Sequence, residues 1–125
     1  MDFCSLRLND KEPVYLQLVM YVKRCVLSGA AHDGEALLSR RELAAQLGIN
    51  PNTVQKAFKI MEEEGFVATP PNAKSVIRIT EEIKRAIEEE LTGHFVREFV
   101  ANARDNRLSY KKVIELISQY WEEDV

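Results

Sequence analysis

Two groups of polar and basic side chains between residues 39 and 59 have the types and spacing needed to bind nucleic acid. The first group opens a predicted helix and comprises Ser39, Arg40 and Arg41. The second lies on the polar face of the next predicted helix and comprises Asn52, Gln55, Lys56 and Lys59. Guanidinium and ammonium groups bind phosphate, and side-chain amides pair with the donor and acceptor edge of adenine. The sequence therefore indicates a surface that could bind DNA.

Two short helices joined by a tight turn must position these groups. Ser39 and Glu42 have the Ser-x-x-Glu spacing of a capping box, which predicts a helix from about Arg40 to Leu47. Gly48 then supplies the backbone freedom for a tight turn. Two helices joined in this way are typical of a helix-turn-helix, in which the later helix enters the major groove of DNA.

The later helix is predicted over about residues 51–64. Asn50 and Pro51 are typical of an N-cap followed by a proline in the first turn. An apolar face then recurs at helical spacing and comprises Val54, Phe58 and Met61. The polar group on the opposite face is therefore free to meet a partner.

One predicted helix precedes this pair, and a predicted β-hairpin follows it. Residues 13–28 place apolar side chains at helical spacing, with Pro13 expected in the first helical turn. Two β-prone runs, residues 66–69 and 75–79, flank the turn-rich stretch 70–74. A hairpin at this place predicts the wing of a winged helix-turn-helix.

The remaining residues predict two helices that form a tail. Thr80 is expected to cap a long helix from about Glu81 to Ala103, which Gly93 would weaken midway. Ser109 is expected to cap the last helix. That helix carries an apolar stripe that needs cover and that we predict to be the dimerisation surface: Val113, Ile114, Leu116, Ile117, Tyr120 and Trp121.

The predicted fold class is mainly α with a small β-hairpin. Residues 1–79 would form a winged helix-turn-helix DNA-binding domain, and residues 80–125 a two-helix dimerisation tail. A length of 125 residues leaves no room for a large enzyme domain beside them. The chain starts without the basic and apolar runs of a signal peptide and has no apolar stretch long enough to span a membrane, so we expect a cytoplasmic protein.

The net charge of −3 hides an uneven distribution along the chain. Residues 1–80 carry 10 Lys and Arg against 9 Asp and Glu, whereas residues 81–125 carry 7 against 11. Affinity for DNA would therefore have to come from a localised basic patch. Cys4 and Cys25 have neither CxxC spacing nor neighbouring histidines, so we expect free thiols.

The stretch from Ser39 to Val67 closely resembles the DNA-binding motif of the GntR family of transcription regulators. It runs SRRELAAQLGINPNTVQKAFKIMEEEGFV, and the family pattern is Ser-x-Arg-x-Leu-Ala, then a helix with Thr-Val, then a Glu-Gly turn. Pro13, Tyr15 and Gln17 extend the resemblance, which covers about residues 11–79. The tail is too short for the effector domains of most branches.

A tail of only two helices is similar to that of the YtrA subfamily, which also favours the amino-acid sequence found at residues 48–54. This resemblance implies a dimeric repressor of operator DNA, often encoded beside the ABC-transporter genes that it controls. The operator should be roughly palindromic because a symmetric dimer presents two equivalent helices. The sequence leaves open whether a small-molecule effector binds between the tails.

The resemblance implies roles for individual residues. Arg41 matches the family arginine that reaches DNA, where a guanidinium pairs with guanine or clamps a phosphate. Ser39, Asn50 and Thr53 match positions that donate to phosphate, although simple helix capping is the alternative for each. Asn52 and Gln55 are expected to recognise adenine. Lys56 and Lys59 are expected to meet phosphate or to remain solvated.

Two departures from the family pattern affect the predicted set. Many relatives carry arginine where this chain has Pro51 and Gln55, which should reduce recognition of guanine by this helix. The wing usually contains Gly-x-Gly, whereas the aligned residues here run from Asn72 to Lys74. Lys74 could still contact phosphate. Arg40, Pro51, Asn72 and Lys74 complete the predicted DNA-binding set.

Other chemistry finds little support in the sequence. His32 and His94 lie far apart, outside any cluster with metal-ligand spacing, and no phosphate-binding glycine loop occurs. The glutamate runs 62–64 and 88–90 are expected to be solvated helix faces. We therefore predict no metal, no cofactor and no enzymatic activity. The alternatives are a winged-helix module that binds protein and does not recognise DNA, and, third, a small hydrolase.

Overall fold

The computed structural model describes residues 1–123, which divide into two compact units, Met1–Ile87 and the residues from Glu88 onward. The first unit contains α1 (Val14–Ser28), α2 (Arg40–Leu47), α3 (Pro51–Glu64), β1 (Val67–Ala68), β2 (Val76–Ile77) and most of α4 (Glu81–Glu88). The second contains a π-helical turn (Glu89–Gly93), α5 (His94–Asp105) and α6 (Tyr110–Trp121). The described chain is thus mainly helical with one small hairpin, as predicted.

The core of the first unit lies where α1 and α3 pack together. Val22 of α1 and Val54 of α3 are fully buried, and Phe58 is 1 % exposed. Each such side chain stabilises the fold by roughly 1.5–3 kcal/mol relative to leaving it in water. The predicted apolar side of α3 therefore packs against the core. This packing turns the polar side of α3 toward solvent.

Local signals fix the ends of α2 and α3 where the sequence predicted them. Ser39 and Glu42 form the complete capping box, because the Ser39 hydroxyl accepts from the Glu42 N–H and the Glu42 side chain accepts from the Ser39 N–H. Gly48 ends α2 with a φ of 67°, in the left-handed region that glycine adopts without strain. Pro13 differs slightly from the prediction, since it occupies the N-cap of α1 and not its first turn.

The hairpin is antiparallel, with Val67 opposite Ile77 and Ala68 opposite Val76. Both strands are shorter than predicted. Pro70 and Pro71 lack a backbone N–H and cannot continue the ladder of β1. β2 also pairs on its other side. There the Ile77 N–H donates to the Glu35 carbonyl and the Leu37 N–H to the Ser75 carbonyl. The segment from Glu35 to Leu37 thus holds the wing against the domain. No pattern in its sequence predicts this pairing.

The second unit is a hairpin of two helices. The predicted long helix is divided by the π-helical turn that ends at Gly93, the residue expected to weaken it, and α5 continues to Asp105. Ser109 caps α6 as predicted by accepting from the Lys112 N–H. None of the helices among residues 1–123 is both long and apolar enough to cross a membrane.

Candidate nucleic-acid interface

The outer face of α3 presents the polar group that the sequence predicted. Its exposed residues are Pro51, Asn52, Gln55, Lys56 and Lys59, while Thr53 is half-buried. The Asn50 side chain accepts a hydrogen bond of 2.8 Å from the Asn52 N–H, so its carbonyl oxygen caps the helix and its amide N–H groups remain available as donors. The amide groups and lysines therefore share one surface that no part of the core covers.

The first turn of α2 lies at the start of the same motif. Arg41 is exposed, and no ion pair joins its guanidinium to another residue in the described range 1–123. Ser39 is half-buried and engaged in the capping box. The Ser39 backbone N–H, then its hydroxyl and then Lys74 hold the pKa of the Glu42 carboxyl below its usual value. Ser39 thus has a structural role as a cap.

Arg40 has a different environment from Arg41. Its guanidinium lies 4.7 Å from the centre of the Phe58 ring, and Nη2 is 2.7 Å from Oε1 of Glu62. Its Nε atom is buried and has no hydrogen-bond partner. Because stacking and ion pairing hold the guanidinium against the domain itself, Arg40 is oriented toward the protein. No local pattern in the sequence predicts this orientation.

The wing brings a further cation to this surface. Nζ of Lys74 is 3.4 Å from Oε1 of Glu42, which links the wing to the first turn of α2. Asn72 adopts a φ of 57°, a left-handed conformation that asparagine tolerates better than most residues. An open groove of about 610 Å³ lies beside the wing. It is lined by Ser39, Arg40, Phe58, Thr69, Pro70, Pro71, Asn72, Ala73, Lys74 and Ser75. Asn72 and Lys74 are both exposed.

The second unit carries the predicted apolar stripe on α6 and further exposed apolar residues on α5. Trp121 is 78 % exposed and Tyr120 54 %, Ile114 and Ile117 are also exposed, and Val113 and Leu116 are half-buried. α5 adds Phe95, Val96 and Phe99, of which Phe95 is 61 % exposed, and the sequence analysis missed them. Residues from both helices line one apolar groove of about 610 Å³. The helical spacing of these three α5 residues was the signal that could have revealed them.

The other titratable residues do not converge on a site. Within residues 1–123 no group of three or more His, Cys, Asp or Glu side chains could hold a metal ion. The His32 side chain is 78 % exposed, and His94 lies on the outside of α5 beside Glu98. Cys4 and Cys25 are free thiols.

Comparison with known proteins identifies the domain. The winged helix-turn-helix DNA-binding family matches residues 34–68. A regulator of unknown role from Bacillus subtilis, YhcF, is 28 % identical over 91 % of this chain and 94 % of its own. The structure of a GntR family transcriptional regulator from Listeria monocytogenes is 25 % identical and superimposes with a TM-score of 0.76, over 90 % of this chain and 98 % of that one. Over most of its length the chain is thus similar to GntR-family regulators, and its helix-turn-helix domain is of the GntR type.

The chain is also similar to YtrA. The HTH-type transcriptional repressor YtrA of Bacillus subtilis is 44 % identical over 61 residues, which are 49 % of this chain and 47 % of YtrA. The chain is thus a transcription regulator with a helix-turn-helix DNA-binding domain of the GntR type, and its relatives are regulators and not enzymes. The contacts of its individual residues with DNA stay predictions.

Proposed function

We propose that this chain is a homodimeric repressor that binds a roughly palindromic operator in the cytoplasm. The observation that carries the proposal is that Arg41, in the first turn of α2, is exposed and forms no ion pair with another residue of the range 1–123, while the polar face of α3 is exposed as well. A guanidinium without an internal partner loses no ion pair when it binds guanine or phosphate, so its binding free energy is not offset by a broken contact.

α3 would lie in the major groove. Its outer face carries the two amides Asn52 and Gln55 ahead of Lys56 and Lys59, so bases would be contacted by the first half of the helix and phosphates by the second. Ser39, Asn50 and Thr53 would donate to the backbone, and the wing residues Asn72 and Lys74 would contact the adjacent strand. These contacts assign DNA binding to residues 1–79.

Residues 80–125 would form the dimer. The exposed side chains of Phe95, Tyr120 and Trp121 belong to one apolar groove, and contiguous exposed apolar surface often marks a protein–protein interface. A second copy of the chain would cover this groove across a two-fold axis, which is the usual geometry of soluble homodimers. The two α3 helices would then meet half-sites about one turn of DNA, roughly 34 Å, or a multiple of it apart.

Repression would follow from occupation of promoter DNA. The related YtrA is a repressor, and the resemblance to its subfamily supports control of genes for an ABC transporter. The genes beside the one that encodes this chain are accordingly the first candidates for regulation.

Binding selection from a randomised duplex library, followed by footprinting on the DNA flanking its own gene, tests the proposal. We expect an inverted repeat in the selected sequences and protection of the same repeat at the promoter. Sedimentation with the selected duplex should give two chains per duplex. A selected sequence without two-fold symmetry, or one chain per duplex, would show that the proposed dimeric recognition is wrong.

A further inference from the structure

A chain of polar contacts joins the first turn of α2 to the residues that flank the wing tip. Nη2 of Arg40 donates to Oε1 of Glu62 over 2.7 Å, and the Thr69 hydroxyl donates to the same oxygen over 3.2 Å. The Thr69 and Ser75 hydroxyl oxygens are 2.6 Å apart. We call these four residues, Arg40, Glu62, Thr69 and Ser75, the Glu62 brace. It connects α2, the last turn of α3 and the residues on either side of the wing tip.

The surroundings of the brace hold it in one arrangement. The Arg40 guanidinium stacks on Phe58, which is itself buried in the core, so the plane of the guanidinium is fixed. Ser75 is 3 % exposed, and a buried hydroxyl that loses its hydrogen-bond partner is unfavourable because it has no water to replace that partner. Both ends of the brace are therefore tied to rigid parts of the domain.

A second link reaches the wing tip from the same helical turn. Lys74 pairs with Glu42, and the Ser39 capping box holds the Glu42 carboxylate in place. The wing tip between the two links lacks the Gly-x-Gly of many relatives, and Asn72 provides its left-handed residue. Side-chain contacts to α2 and α3, and not glycine backbone, thus set where the tip lies.

We propose that Arg40 and Glu62 are positioning residues for the wing: they hold Asn72 and Lys74 at the DNA, and Arg40 itself does not contact DNA. This inference deepens the proposed function, because it rests on the proposed contact of the wing with the operator. It replaces the expectation that Arg40 is one of the DNA ligands.

For Glu62→Ala, the loss of a negative charge and the loss of wing positioning predict opposite changes in affinity for DNA. Removing an acid beside DNA weakens repulsion and should tighten binding if Arg40 is a direct ligand that Glu62 restrains. If Glu62 positions the wing, the same substitution should weaken binding by about fivefold, the equivalent of one net hydrogen-bonded contact. Glu63→Ala is the matched control, since it removes the same charge from the neighbouring exposed position.

Affinity for the selected duplex is measured for the full chain at several salt concentrations, with Thr69→Val as a second variant that breaks the brace without changing charge. We expect Glu62→Ala, Thr69→Val and Lys74→Ala each to lower the salt slope by about 0.9, the release of one phosphate contact, while Glu63→Ala keeps it. Lys74→Ala should add little once Glu62→Ala is present. Thermal unfolding checks that each variant is folded.

Two results overturn different parts of this scheme. If Lys74→Ala leaves affinity and salt slope unchanged in the otherwise native chain, the wing does not contact DNA and the proposed function fails at that point, together with the brace. If Lys74→Ala weakens binding equally with and without Glu62→Ala, or if Glu62→Ala binds as tightly as the native chain, the wing contact stands and the positioning role of the brace is wrong.

Discussion

The ammonium group of Lys56 lies 4.0 Å from the centre of the Tyr15 ring. Lys56 is on α3, whereas Tyr15 is in the first turn of α1, among the residues that carry the family resemblance on that helix. A cation over an aromatic face is stabilised by about 0.5–1 kcal/mol at an exposed site. α1 therefore restrains a lysine that is predicted to meet phosphate, in addition to packing beneath α3.

This contact predicts different effects for two substitutions of Tyr15. Tyr15→Phe keeps the ring face and should leave operator affinity within about twofold of the native chain, whereas Tyr15→Leu frees Lys56 and should weaken binding by about two- to fivefold. The measurement is affinity for the selected duplex, with thermal unfolding as the check on folding. An equal loss in both variants would instead assign the effect to the phenol hydroxyl.

Arg41→Ala should weaken operator binding by about 1–3 kcal/mol, the size of one good bidentate contact. The fold should remain intact because Arg41 is exposed and has no ion pair within the described part of the chain. Arg41→Lys is the control, since it keeps the charge but loses the planar fork. A folded Arg41→Ala variant with native affinity would remove this residue from the interface.

Truncation separates the two proposed activities. Deletion of residues 81–125 should leave a folded monomer if the tail is the dimer interface, but it also removes Ile87, which is 4 % exposed within the first compact unit. A chain that ends at Ile87 is therefore the sharper variant. Sedimentation should show a monomer that has lost most of its affinity for a two-half-site duplex, and a truncated dimer would place the interface in the winged helix.

A variant of the full chain tests the same surface without deletion. Phe95→Glu together with Trp121→Glu introduces charge into the exposed apolar groove, where neither side chain contributes to the core. We expect this double substitution to shift the sedimentation of the full chain toward a monomer, because a dimer would have to bury both charges. Native sedimentation would argue against this groove as the interface.

Local signals explain which features the sequence predicted well. The ends of α2 and α3 depend on residues within one turn, such as Ser39 with Glu42 and Asn50 with Pro51, so a capping pattern was enough to predict them. The polar face of α3 followed from the apolar face opposite. The wing was predicted as a hairpin because two β-prone runs flank a turn-rich stretch.

Features that depend on distant residues could not be predicted. Arg40 and Arg41 are chemically identical neighbours, and only the position of Glu62, 22 residues later, and of Phe58 turns one guanidinium toward the protein. The pairing of Glu35 and Leu37 with β2 likewise joins segments some 40 residues apart along the chain, which no local pattern encodes. The sequence therefore predicted the helices that carry the candidate surface better than the direction of individual side chains.

Pro51 is exposed at the first position of α3, where Asn50 caps the helix and where many relatives carry arginine. Its ring suits the first helical turn but offers no donor to a base. Pro51→Arg should therefore add a preference for guanine at one position in each half-site, by roughly 1–3 kcal/mol over other bases. The fold should tolerate the change, because the first amide of a helix has no intrahelical partner.

Pro51→Ala separates the gain of the guanidinium from the loss of the ring, so its selected sequences should match those of the native chain. Binding selection on randomised half-sites compares the three proteins, and identical sequence preferences for all of them would show that residue 51 does not face the bases and that α3 must be placed differently in the groove.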